Sequence, residues 1–138
     1  MSPVIEQAVQ ARVVASSPDL ETVPATLVYD RTDPFTVRMA FPPLATLEGT
    51  EVTWEFSREL LAAGMSAPAG LGDVRVRPFG YGRTVLEFHA PEGTAMVHLR
   101  TSELRRFLDR SRFLVPEGHE HLYLDLDQAL TELLRDAY

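Results

Sequence analysis

The sequence predicts an α+β fold: antiparallel sheets of about seven strands, a short central helix and two C-terminal helices. Three observations carry this expectation. Short apolar–polar alternations separated by turn residues recur at close spacing through the first hundred residues. One helix-like stretch interrupts them after Ser57. From Ser102 onward the apolar period changes from two to three and four.

Val4 to Ser16 alternates imperfectly, with Ile5, Val9, Ala11 and Val13 on one face and Gln10 and Arg12 on the other. Val23 to Tyr29 is a second strand. Asp30-Arg31-Thr32-Asp33-Pro34 is a turn, because Asp side chains bond nearby backbone amides. Phe35 to Phe41 then places Phe35, Val37, Met39 and Phe41 inward and Thr36 and Arg38 outward. Pro42-Pro43 ends that strand, since proline has no donor for a ladder. After a turn at Glu48-Gly49-Thr50, Glu51 to Phe56 sets Val52, Trp54 and Phe56 on one face and Glu51, Thr53 and Glu55 on the other. A lone tryptophan in that setting reads as core.

Ser57 is placed to cap a short helix, Arg58 to Ala63, with Gly64 as its stop. Met65 to Leu71, rich in Ala, Gly and Pro, is a loop. Asp73 to Phe79 turns Val74 and Val76 in and Arg75 and Arg77 out. Gly80-Tyr81-Gly82 is a hairpin turn, with Tyr81 exposed at its tip, into Thr84 to Ala90, where Leu86 and Phe88 face in. Pro91-Glu92-Gly93 turns again into Ala95 to Leu99, so these strands form an antiparallel meander. Leu104, Phe107, Leu108 and Ser111 mark a helix over Ser102 to Arg112, broken by Pro116-Glu117-Gly118. Leu126, Leu130, Leu133, Leu134 and Ala137 mark a last amphipathic helix, capped by Asp125 or Asp127.

The 138 residues suit a single domain, 1–138, around one core. The absence of cysteine excludes disulfides and thiolate metal sites. The opening MSPVIEQAVQAR has neither a basic region nor a long apolar run, so no signal peptide is expected. No segment approaches the roughly 18 to 20 apolar residues that span a bilayer, so direct membrane insertion is not expected. The net charge of −7 disfavours a general nucleic-acid binder. All 13 basic residues are Arg, which a GC-rich genome explains most simply.

Candidate sites are sparse. His119, His121, Asp125 and Asp127 form the one cluster resembling metal ligands, but they lack standard zinc spacing, and a solvated connector is the favoured reading. His89 and His98 fall on adjacent strands without facing each other. Glu51, Glu55 and Glu59 have no nucleophile motif beside them, and the chain carries no P-loop, G-x-S-x-G or GxGxxG. Neither catalytic residues nor a cofactor or metal are expected. The stretch 100–112 is locally basic through Arg105, Arg106, Arg110 and Arg112, while Glu117 to Asp136 is acidic. Those four arginines are the candidate protein-interaction residues. The competing reading pairs them internally, and pairs Arg75 or Arg77 with Glu87 across the hairpin.

Several segments in fixed order carry a resemblance: YDRTDPF from Tyr29, VTWEFSRELL from Val52, the loop from Pro68 into GDVRVRP, PEGTAMVHL from Pro91, and the ending around Asp125. From about Arg12 to Leu134 the chain resembles the SsgA-like sporulation and cell-division proteins of actinomycetes. The resemblance implies a small cytoplasmic protein without catalytic activity that helps position sporulation septa. It further implies recruitment of FtsZ, work alongside other SsgA-like proteins, and a homotrimer of Whirly-like fold. The alternative, suggested by that fold likeness, is a single-stranded nucleic-acid-binding module. It is disfavoured because the aromatics Phe35, Trp54, Phe56 and Phe88 are expected on inward faces.

Overall fold

A computed structural model describes residues 3–14, 21–43 and 49–124. Seven strands form one sheet in the order β4-β3-β2-β1-β7-β6-β5, with every neighbour antiparallel. They are β1 (Val4–Val14), β2 (Glu21–Asp30), β3 (Thr36–Phe41), β4 (Val52–Ser57), β5 (Val74–Pro78), β6 (Arg83–Ala90) and β7 (Gly93–Arg100). Between β4 and β5 lies α1 (Arg58–Gly64), and β7 runs directly into α2 (Thr101–Leu114). The expected α+β order of strands and helices holds through α2. The last expected helix, with Leu126, Leu130, Leu133, Leu134 and Ala137 and its caps Asp125 and Asp127, falls outside the described residues, as does Glu48 of the turn before β4.

Alternation decides which side of each strand is buried. Ile5, Val9 and Ala11 of β1, Leu27 and Tyr29 of β2, Val37 and Met39 of β3, and Leu86 and Phe88 of β6 all lie on the inner face. On this face α2 lays Leu104, Phe107 and Leu108 over β1 and β7. Gln7 shares the inner side of β1, and its amide donates to Glu103 O at 2.9 Å, fastening the first turns of α2 to the sheet.

The sheet is strongly curled. In strand order β4 and β6 are separated by four strands, yet Trp54 of β4 stacks on Phe88 of β6, with centroids 4.8 Å apart and planes 27° apart. Phe41 meets the same ring edge-on at 6.3 Å, and Phe56 meets it tilted at 6.1 Å. The two ends of the sheet therefore close on one another through aromatic side chains, each such pair adding about 0.5–1.5 kcal/mol beyond its burial. This curl also lets α1, which leaves β4, rest against β5 at the opposite edge.

Two local readings change. Phe35 does not extend the inner face of β3; it is half-exposed. It sits in the turn closed by Thr36 N–H donating to Asp33 O (3.2 Å), so strand alternation begins one residue later. Its neighbour Pro34 is buried instead, and Pro34 O accepts from the Tyr29 hydroxyl at 2.8 Å. Gly64 does not stop α1 through a left-handed conformation; it is the last helical residue, and Met65 is the cap. Glycine is required there by packing, because a Cβ would overlap the Val76 side chain. Ser57 caps the helix as expected, its Oγ accepting from Leu60 N–H at 2.9 Å.

The outer edge of β5 is blunted. Ala69 and Val76 exchange two backbone hydrogen bonds, 2.8 and 2.9 Å, so the loop after α1 covers the middle of that edge. Pro78 offers no donor farther along.

Trp54→Ala removes one wall of the aromatic closure. The expected cost is about 3 kcal/mol, the low end for aromatic truncation because Trp54 is only partly buried. Thermal melting checks this; an unchanged melting temperature would show that the stack with Phe88 contributes nothing to closing the sheet.

Candidate interaction site

The position of α2 is set by a buried cation. Arg58, the first residue of α1, is 2% exposed. Its guanidinium donates to Val115 O at 2.8 Å, Ser111 O at 3.2 Å and Ser111 Oγ at 3.4 Å. It also donates to Glu120 Oε1 at 2.7 Å and lies over the Tyr29 ring at 5.0 Å. Ser111 O already accepts from the Val115 N–H at 2.8 Å, so Arg58 gives it a second donor, and a cation at this helix end complements the helix dipole. One side chain thus joins α1, the C-terminus of α2, β2 and the 3-10 turn Glu120–Tyr123. The hydrogen bond from Arg58 holds the Glu120 carboxyl below its ordinary range, with the Glu120 and Gly118 backbone N–H groups adding to the effect. Burial pushes the Tyr29 phenol up to about 12, against the opposing field of Arg58.

The four arginines expected to form an interaction surface lie on α2 and divide into two pairs. Arg112 is held by Glu117 at 2.8 Å and by Asp109 at 3.7 Å. Arg110 donates to Gln7 Oε1 at 3.2 Å. Arg105 and Arg106 are exposed, and their side chains have no hydrogen bond or ion pair among the described residues. The internal-pairing reading therefore holds for Arg112, while Arg105 and Arg106 remain available to a partner. Beside the C-terminal end of α2, a cleft of about 600 Å³ lies between α1 and residues 112–120. Phe35, Ala62 and Ala63 supply its apolar lining, and Glu59, Arg112, Glu117 and the Arg58–Glu120 pair its charges. Ser57, the hydroxyl lining this cleft, is already engaged as the helix cap.

The other singled-out residues are placed as follows. Arg77 donates to Glu87 at 3.2 Å, whereas Arg75, directly opposite Glu87 in register, turns to Gly72 O. Glu55 pairs with Arg38 at 2.9 Å, and Arg38 also reaches Asp33 at 2.8 Å. His98 faces Val85 and His89 faces Thr94, so the two histidines are not opposed. His119 and His121 flank Glu120 at a 3-10 turn rather than on an extended segment, so they do not share a face. Among the described residues no group of three His, Cys, Asp or Glu is placed to hold a metal; Asp125 and Asp127 lie outside them. Among the described residues no helix is long and apolar enough to cross a membrane. Arg58 is the residue that sequence reasoning missed as a determinant. Its only local signal is a charge one residue after a helix cap, where exposure is the ordinary outcome.

Comparison with known proteins places this architecture. The family model described as "Streptomyces sporulation and cell division protein, SsgA" matches residues 23–120. The sporulation-specific cell division protein SsgB of Streptomyces coelicolor is 39% identical over 99% of this chain and 100% of that protein. SsgB of Kineococcus radiotolerans is 41% identical over 81% of this chain and 68% of that protein. A crystal structure of an SsgA-like sporulation-specific cell division protein from Thermobifida fusca superposes with a TM-score of 0.82 at 31% identity, covering 95% of this chain and 96% of the other. A solved structure of SsgB from Streptomyces coelicolor gives a TM-score of 0.76 at 36% identity, covering 88% of this chain and 95% of the other.

Arg58→Met is expected to cost about 3–5 kcal/mol, because Glu120 and Val115 O lose their buried partner. The pH dependence follows from Glu120. Its lowered folded value means that its contribution is complete above the unfolded Glu value of about 4.3 and is lost as pH falls through the folded one. Denaturant melts against pH should show this acid loss in the parent, flattened in Glu120→Gln. An equally steep acid loss in that variant would assign it to other carboxylates.

Proposed function

The chain belongs to the SsgA family of sporulation and cell division proteins, and from that premise we propose that it acts without catalysis to position sporulation septa by recruiting FtsZ. The observation that carries this reading is 39% identity to an SsgB over 99% of the chain. The motif resemblance is likewise strongest to the SsgB type. Recruitment here is a cytoplasmic binding task performed at the septum. The protein works as a homo-oligomer, a trimer in the preferred form, together with other SsgA-like proteins. Several copies of a modest surface then meet several subunits of a polymer, and avidity replaces a single strong site.

The recruiting surface is the exposed side of α2, centred on Arg105 and Arg106 and flanked by Arg110 and Arg112. Arginines without internal partners are free to form bidentate contacts with carboxylates of a partner protein. The Gln7 and Arg58 contacts hold both ends of α2 on the sheet, so this surface is presented on a fixed helix.

Co-sedimentation with purified FtsZ polymers tests the reading. The protein should pellet with the polymer at low salt, and Arg105→Glu/Arg106→Glu should weaken that binding roughly tenfold or more. Absence of co-sedimentation overturns recruitment; co-sedimentation unaffected by charge reversal overturns only the α2 surface. Light scattering after gel filtration should give a trimer mass, and a monomer at working concentrations would remove the avidity argument.

A further inference from the structure

The outward face of the sheet, opposite α2, carries a second basic surface. Strand register builds it as two rows. The first runs Arg12 of β1, His98 of β7, Val85 of β6 and Arg77 of β5. In the second, Arg100 of β7 stands opposite Arg83 of β6, and Phe79 follows beyond, its N–H donating to Arg83 O at 3.0 Å. The guanidiniums of Arg12, Arg83 and Arg100 have no hydrogen bond or ion pair among the described residues.

The Arg83–Arg100 pairing is unfavourable as it stands. Thr101 N–H donates to Gly82 O at 3.0 Å, which makes the next pair inward, Arg83 with Arg100, a non-hydrogen-bonded one. In such pairs the side chains come closest, and like charges directly opposite destabilise a sheet. Val85 is fully buried although it is on the outer face. The Phe79 ring meets His98 edge-on at 4.8 Å, and Arg77, held by Glu87, lies 5.6 Å over Phe79.

We propose that this face, Arg12, Arg83 and Arg100 beside Phe79, docks an extended acidic segment of a partner protein. Charge complementarity identifies the occupant. Arg12 pairs with His98 and so stands diagonal to Arg100, about 7–8 Å away, a spacing that suits carboxylates at alternate positions of an extended chain, about 7 Å apart on one side. Carboxylates between Arg83 and Arg100 convert their repulsion into two attractions. The half-exposed Phe79 and the fully exposed Tyr81 at the adjoining turn offer apolar contact at the border. A nucleic-acid strand fits less well. Phe79, the aromatic on this face, is engaged edge-on by His98 rather than open for stacking. This surface is separate from the α2 surface and does not rest on the recruitment reading.

His98 supplies a spectroscopic readout. Burial chiefly, and then the fields of Arg77, Arg83 and Arg12, hold its titration below the ordinary range. Glu87, paired with Arg77, is the neighbouring acid on β6. Added carboxylates would offset the arginines and raise it.

The test uses a short labelled polyglutamate peptide as probe, with an oligothymidylate of matched length beside it, by fluorescence anisotropy and two-dimensional NMR at low salt. The proposal expects peptide binding that weakens with salt, shifts centred on Arg12, Arg83, Arg100 and Phe79, and an upward move of the His98 titration. Arg83→Glu/Arg100→Glu should reduce affinity roughly tenfold or more, and the milder Arg100→Gln should reduce it partially while keeping the parent melting temperature. No peptide binding overturns the proposal. So does binding that maps to Arg105 and Arg106, tighter binding of the oligothymidylate on the same face, or dissociation of an oligomer by Arg100→Gln, which would make this face a self-interface.

Discussion

The architecture depends on one buried guanidinium. Arg58 stands where a sheet edge becomes a helix, and from there it satisfies the end of α2, the Glu120 carboxylate and the face of Tyr29. A buried charge of this kind is weak evidence for net stability, since desolvation offsets much of the attraction. Its effect is geometric. Four hydrogen-bonding positions and a ring face cannot be met together unless α1, α2, β2 and the following turn hold one arrangement. An apolar replacement would fill the volume and leave that arrangement underdetermined.

The aromatic closure complements this tie at the other side of the core. Phe88 receives Trp54, Phe56 and Phe41 from the far half of the sheet. The edge strands β4 and β5 are thereby brought near enough for α1 to rest on both. Gly64 is the contact point of that arrangement, because α1 can approach Val76 only where a side chain is missing. The curl, the short helix and the covered β5 edge are thus consequences of the same closure, and the Ala69–Val76 bridge follows from the loop that α1 has to make.

Strand identity was legible because each strand buries only one face, and alternation reports that directly: Val37, Met39 and Phe41, or Leu86 and Phe88, could be placed without coordinates. Curl was not legible, because nothing local in Trp54 or Phe88 states that their strands meet across four others. Phe35 misled because its parity matches β3 although the Asp33 turn ends the strand before it. The candidate arginines were legible as a group and not as individuals. Arg110 and Arg112 are restrained by Gln7, 103 residues away, and by Glu117, while Arg105 and Arg106 point elsewhere on the helix. Arg58 was hidden for the same reason: its partners come from 53 to 62 residues downstream.

The distribution of arginine has a physical consequence for how this molecule meets others. The chain has a net charge of −7, so carboxylates are in excess and internal partners for arginine are plentiful. Arg38, Arg58, Arg77 and Arg112 each take one. Arg105 and Arg106 on α2, and Arg12, Arg83 and Arg100 on the opposite sheet face, do not, and the second group even sets two of its members side by side. Arg31, Arg75 and Arg110 take the Tyr123 ring, Gly72 O and Gln7 instead. Two unpaired groups on opposite sides of one rigid sheet give each copy two separately oriented cationic faces. A partner held on one of these faces would leave the other open.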